Sequence, residues 1–226
     1  VTVLSGIDPD RLPEEKERGM TIDLGFAWFS LPDLGEVGMV DVPGHKQFVH
    51  HVVPGLFAID AVLLVVAADD GWMPQTEEHL QILDLLGIKN GIIVLNKIDL
   101  ASDAEWLDLV EKDIMQHLAN TGLSRSPVIR VSSRTGQGID ELKKVIAELT
   151  VTLTPRQDIG KPRLAVDRVF TIKGSGVVVT GTLSQGIFSN DDEVTLLPSG
   201  LGAHIRGIES YKQMRGKAQP GSRVAL

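Results

Sequence analysis

The chain has 226 residues, 42% hydrophobic and 23% charged, which is ordinary globular composition and enough for one large domain or a domain and a half. It contains no cysteine, which excludes a disulfide framework and a thiolate metal site and fits a reducing, cytoplasmic setting; the apolar run Ala61–Ala68 is too short to cross a bilayer, so no membrane role is expected. The net charge of −8 argues against a generic nucleic-acid binder, yet it divides into −12 over residues 1–155 and +4 over residues 156–226, two parts suited to different partners.

In chain order, "EEKERGMTID" (14–23) reads first as a charged, mobile loop carrying Thr21, whose hydroxyl suits Mg²⁺. "VGMVDV" (37–42) reads as a strand, and "DVPGHK" after it sets an Asp at a strand end before a glycine turn. That arrangement suits the sensing of a metal-bound γ-phosphate, yet the phosphate cradle that accompanies it, G-x-x-x-x-G-K-[ST], does not occur in these residues. Residues 46–57 have helical spacing, with His50 and His51 read as packing or surface positions.

Further nearly continuous apolar strands follow at 61–68, 91–97 and 127–133, as strands buried on both faces require. Helical spacing covers 76–87, 103–121 and 138–150; "PQTEEHLQILDLLG" has the acidic first turn and glycine stop of a helix. Strand–helix alternation predicts an α/β domain over residues 1–153, a mostly parallel sheet with helices on both faces and its ligand site beyond the strand ends. A polar, Pro-containing linker is expected over 154–162. Residues 163–226 are β-rich, with turn or bulge points at Gly174, Gly176, Gly181 and Gly186, and predict an antiparallel β-barrel.

Three strand ends carry polar groups: Asp41, Asn96–Asp99 ("NKID") and Ser132–Ser133 ("VSS"). An Asn amide can meet the Hoogsteen edge of guanine, and a carboxylate can accept from its N1–H and 2-amino group. Adenine offers neither donor, which leaves the carboxylate unpaired at a cost of about 1–3 kcal/mol. The stem of Lys97 can lie along the base plane between them. Backbone N–H groups at Ser132 and Ser133 could close over the base oxygen.

Together, "RGMTID", "DVPGHKQF", "NKID" and "VSS" resemble the switch and base-recognition elements of the translational GTPases, whose familiar member is elongation factor Tu. "DRLPEEKERGMTIDLGFAW" and "LAVDRVFTIKGSGVVVTGTLSQG" are closer to the selenocysteine-specific (SelB-type) elongation factors. The resemblance implies a GTPase-type domain followed by the translation-factor β-barrel, GTP/GDP and Mg²⁺ as ligands, and delivery of selenocysteinyl-tRNA to the ribosome. It implies that Thr21 and Asp41 hold Mg²⁺, that the Gly44 N–H meets the γ-phosphate and that His45 orients the attacking water. Asn96, Lys97, Asp99, Ser132 and Ser133 would bind the base, and Asp167, Arg168 and Arg223 would receive the aminoacyl group. Lys212, Arg215 and Lys217 are candidates for tRNA phosphates, and a C-terminal domain outside the chain would read an mRNA hairpin. The resemblance sets the first strand and the phosphate cradle a few residues before Val1, so the 226 residues alone are expected to bind GTP very weakly and to be inactive. The alternatives are a general elongation or initiation GTPase, or a nucleotide-free binding scaffold.

Overall fold

The computed structural model describes residues 1–10, 12–45, 59–101, 103–156, 158–174 and 176–226. The helix expected over 46–57, with His50 and His51, lies outside the described residues. The described residues divide into two compact units, one from residues 1–45 and 60–153 and the other from residue 59 and residues 154–226. Among the described residues, no helix is long and apolar enough to cross a membrane.

The first unit opens with two short helices, α1 (Thr2–Ser5) and α2 (Pro13–Arg18). An antiparallel hairpin follows, β1 (Gly25–Leu31) and β2 (Gly35–Asp41), in the register Gly25↔Asp41 through Leu31↔Gly35. Its turn places Asp33 at φ 63 and Gly35 at φ 88, a left-handed conformation that Asp tolerates and glycine adopts freely. Among the described residues, the strand at 37–42 pairs with β1 alone and antiparallel, where the strand–helix alternation led to the expectation of a parallel neighbour. β1 alternates, with Ala27, Phe29 and Leu31 buried and Ser30 exposed, the pattern of a strand with one face on the core.

The parallel sheet contains β3 (Val62–Ala67), β4 (Gly91–Asn96) and β5 (Val128–Arg130) in the order β3-β4-β5. β4 runs through the middle and is buried from Gly91 to Leu95, as its unbroken apolar sequence requires. β3 departs from the expectation of burial on both faces, since Val65 is 55% exposed while Leu64 and Val66 are buried. The crossover helices are α3 (Pro74–Leu85) and α4 (Ala104–Leu118), and α5 (Ile139–Thr152) follows β5. Asp103 caps α4 by accepting from the Trp106 N–H at 2.8 Å. One core joins Phe29 and Leu31 of the hairpin, Ile92 and Val94 of β4, Ile129, and Ile139, Leu142 and Ile146 of α5. The α5 residues recur at helical spacing and form one buried stripe.

In the second unit, β6 (Arg163–Ile172), β7 (Gly176–Gln185), β11 (Ile208–Ser210), β12 (Gln213–Arg215) and β14 (Arg223–Ala225) form a five-stranded antiparallel sheet ordered β12-β11-β14-β7-β6. Two further antiparallel pairs join β9 (Glu193–Leu196) to β10 (Leu201–His204) and β8 (Phe188–Ser189) to β13 (Lys217–Ala218). Leu183, Phe188, Ile205, Ile208, Ala218 and Val224 make its core. Gly181 is required by a close approach: a Cβ there would lie 2.1 Å from the Ala165 carbonyl oxygen, beside the bulge between Val166 and Arg168.

Candidate functional site

β4 delivers Asn96 to the sheet edge, and the chain turns there at once: Lys97 is left-handed at φ 61, and Ile98–Leu100 form a single 3₁₀ turn. β5 ends close by, so Ser132 and Ser133 meet the same turn. The Asn96 amide pairs reciprocally with Ser133, donating to its Oγ at 3.2 Å and accepting from its N–H at 3.0 Å. Asp99 Oδ1 accepts from Ser132 Oγ at 2.5 Å, and Asp99 Oδ2 lies 2.5 Å from Arg134 Nη2. The Ser132 hydrogen bond, with smaller help from Asp99's own backbone N–H and from Arg134, holds the Asp99 carboxyl below the usual carboxylate range. Ser132 is fully buried and closes its own loop, since its backbone accepts from Gly136 N–H and donates to Gln137 O, each at 2.9 Å. Gly138 (φ 73) ends that loop where a Cβ would sit 2.1 Å from the Arg130 carbonyl, so only glycine fits.

Lys97 Nζ lies 2.9 Å from Asp69 and 3.5 Å from Asp70, both on the loop after β3. The hydrogen bond to Asp69 is the main influence raising its pKa. Asn96, Lys97, Asp99, Ser132 and Ser133 thus sit together at one sheet edge, in a frame supplied by Asp69, Asp70 and Arg134.

At the other corner, Thr21 Oγ1 donates to Asp10 Oδ1 at 2.9 Å and lies 3.5 Å from Asp41 Oδ2. Burial pushes the Asp41 carboxyl up, the Asp10 charge pushes it further, and the Thr21 hydroxyl opposes them. The loop bearing Thr21 is tied down rather than swinging free. Glu15 on α2 is 2% exposed and accepts from the backbone N–H groups of Leu12 at 2.8 Å and of Ile22 and Asp23 at 3.1 Å each. Gly44 and His45 are exposed, and behind them Pro43 is buried with the His79 imidazole hydrogen-bonded to its backbone. Burial lowers the His79 pKa, and its Nε2 has no hydrogen-bond partner among the described residues.

In the second unit, Asp167 falls at the β6 bulge and Arg223 on β14, where Arg223 grips Asp167 with both guanidinium nitrogens, Nη2 to Oδ1 at 2.9 Å. Thr180 Oγ1 donates to the same Asp167 oxygen at 2.9 Å. Arg168 follows the bulge, half-buried and in register with Thr180. Lys212, Arg215 and Lys217 are exposed.

Sequence reasoning missed Asp10, Glu15, Asp69, Asp70, His79, Arg134 and Thr180. The signals were present for three of them: "AADDG", with Asp69 and Asp70, stands directly after an apolar strand, and Arg134 follows the serine pair. The others are single charged or polar residues without a local pattern. A groove of about 670 Å³ lined by Leu4, Trp28, Phe29, Leu31, Lys143 and Lys144 contains none of these groups, so the site is identified by chemistry rather than concavity.

The sequence model described as "Elongation factor Tu GTP binding domain" matches residues 5–152. The chain is 45% identical over 226 residues to the selenocysteine-specific elongation factor of Desulfomicrobium baculatum, covering all of this chain and 36% of that protein. The crystal structure of a bacterial selenocysteine-specific elongation factor superposes with a TM-score of 0.92 at 37% identity, over 100% of this chain and 38% of that one. The Methanococcus maripaludis translation elongation factor SelB in complex with the GTP analogue GppNHp superposes with a TM-score of 0.85 at 34% identity, over 99% of this chain and 46% of that one. The chain therefore spans between about a third and a half of the length of the proteins it resembles.

Proposed function

The chain belongs to the family that shares the elongation factor Tu GTP-binding domain, and on that premise we propose that it is the nucleotide-switching and aminoacyl-holding part of a selenocysteine-specific elongation factor. The convergence of Asn96, Lys97 and Asp99 with Ser132 and Ser133 carries the nucleotide reading. Ser132, Arg134 and Asp99's own backbone N–H take three of the roughly four acceptor sites of the Asp99 carboxylate, which leaves acceptor capacity for a guanine N–H donor. The Asn96 amide likewise keeps a second N–H for the base beside its bond to Ser133.

At the phosphate end, Thr21 and Asp41 would hold Mg²⁺. The fit is chemical: hard oxygen donors, with a half-buried carboxylate whose charge is disfavoured by burial and by Asp10 and is relieved by a cation. When bound, the metal supplies neutralisation of phosphate charge. Gly44 would donate its N–H to the γ-phosphate, and His45 would orient the attacking water, a contribution through position and charge.

For the aminoacyl group, Asp167, Arg168 and Arg223 would line the pocket, and its two guanidinium groups against one carboxylate favour an ionised selenol over a hydroxyl or neutral thiol. Exposed Lys212, Arg215 and Lys217 would meet tRNA phosphates. The ribosome, and an mRNA hairpin read by a domain outside these residues, complete the set of partners, in the cytoplasm.

In the complete gene product, His45→Ala is expected to lower ribosome-stimulated GTP hydrolysis by about 100-fold or more with GTP affinity nearly unchanged. Hydrolysis surviving that change removes the role given to His45, and an unsubstituted protein that binds no guanine nucleotide removes the switch reading altogether. Competition among selenocysteinyl-, cysteinyl- and seryl-tRNA tests the finer assignment. Equal affinities point instead to a general elongation factor.

A further inference from the structure

Lys97 occupies a left-handed backbone conformation at φ 61, which costs a non-glycine residue on the order of 1–2 kcal/mol. Its ammonium reaches out of its own loop to Asp69 at 2.9 Å and Asp70 at 3.5 Å. The sheet register explains the meeting: Ala67 on β3 and Asn96 on β4 are partners, so the two chains leave the sheet side by side. The loop carrying the two carboxylates is anchored at both ends to α4. At one end Trp106 Nε1 donates to the Ala68 carbonyl at 2.8 Å. At the other, the Trp72 ring stacks on His117 with centroids 4.5 Å apart and planes 8° from parallel, while Trp72 Nε1 donates to Glu77 at 3.1 Å.

The Lys97 side chain is 43% exposed and that of Asp69 31%, and a pair of that exposure stabilises a fold by less than about 1 kcal/mol. This does not exceed the backbone cost of Lys97, so fold stability does not account for an anchored loop whose charged groups meet this one lysine. We propose that Asp69 is a positioning residue for the nucleotide site: it fixes Lys97 so that its alkyl stem lies flat against the face of the bound base, with Asp70 as a weaker second anchor. The proposal rests on the guanine-nucleotide reading above. A stem lying on the ring face is indifferent to the groups on the ring edge, whereas Asp99 reads that edge. Loss of Asp69 therefore weakens GDP and IDP equally and leaves the preference between them, set by the 2-amino group, unchanged.

The test measures binding and release of fluorescent GDP and IDP by the complete gene product with Asp69→Asn, Asp69→Glu and Asp70→Asn. Asp69→Asn is expected to raise both Kd values about tenfold, chiefly through faster release, at a constant GDP-to-IDP ratio. Asp69→Glu restores most of the affinity, Asp70→Asn changes it less than about threefold, and Tm without nucleotide stays within about 3 °C for all three. An unchanged Kd, an altered ratio, or a loss that follows a fall in Tm overturns the role of Asp69. Failure of the unsubstituted protein to bind either nucleotide overturns the guanine reading first, and this inference with it.

Discussion

At Asp99 one carboxylate accepts from Ser132 and Arg134 while keeping acceptor capacity at the sheet edge. A pKa held below the ordinary range means that the folded state binds this proton less readily than the unfolded chain. Its contribution to stability is therefore complete above the ordinary carboxylate range and is lost as pH falls through the lowered pKa. Ser132→Ala is expected to move the Asp99 titration, followed by carboxyl-carbon NMR, back up toward the ordinary range. An unmoved midpoint would show that Ser132 is not the main cause. Asp41 is shifted the other way, chiefly by burial. The two carboxylates thus differ through their surroundings alone: one is met by donors, the other by burial and a like charge.

At the scale of elements, Glu15 is what turns an apparent charged loop into a fixed one. Its carboxylate satisfies the backbone N–H groups of Leu12, Ile22 and Asp23 on either side of Thr21. Glu15→Ala strands those donors, each at about 1–3 kcal/mol where it stays buried. A loss of about 3 kcal/mol in denaturant titration is expected, with faster amide exchange at Ile22 and Asp23, while Glu15→Gln keeps one carbonyl acceptor and loses less. Unchanged exchange at Ile22 and Asp23 would contradict this role. The same residues mark the limit of sequence reading. β4 and the helices α3, α4 and α5 are legible because continuous apolar runs and 3.6-residue spacing are local signals. The β1–β2 hairpin is hidden because "GFAWFSL" alternates only partly and its turn, "PDLG", lacks the Asn-Gly or Asp-Gly pair that signals a tight hairpin. Glu15 reads as one more solvated charge until the chain folds back on it.

For the molecule as a whole, the division into two units makes the Asp167–Arg223 pair a matter for the second unit alone. Removing Arg223 leaves Asp167, 11% exposed, as a buried carboxylate without its cation, a loss of about 3–5 kcal/mol. Trp28, Trp72 and Trp106 all lie in the first unit and the single tyrosine, Tyr211, in the second. Arg223→Met is therefore expected to lower the unfolding midpoint seen by near-ultraviolet signals of Tyr211 and by barrel methyl resonances. The midpoint seen by tryptophan fluorescence stays in place, and the double change with Asp167→Asn recovers part of the loss. A tryptophan midpoint that falls in parallel would show that the two units unfold as one.

The sequence by itself determined the elements and the chemistry at their ends: an Asp before a glycine turn, "NKID" after a buried strand, a serine pair after the next, and a change to β-rich sequence after residue 162. Those features are local, carried by periodicity and by residue type at fixed spacing. Only the tertiary structure decided which charges meet: Thr21 with Asp10 and Asp41, Lys97 with Asp69, Asp99 with Arg134, and Asp167 with Arg223 across 56 positions of chain. Such pairings depend on strand register and on the bulge in β6, which bring distant residues within hydrogen-bond reach. No one-dimensional pattern specifies that register.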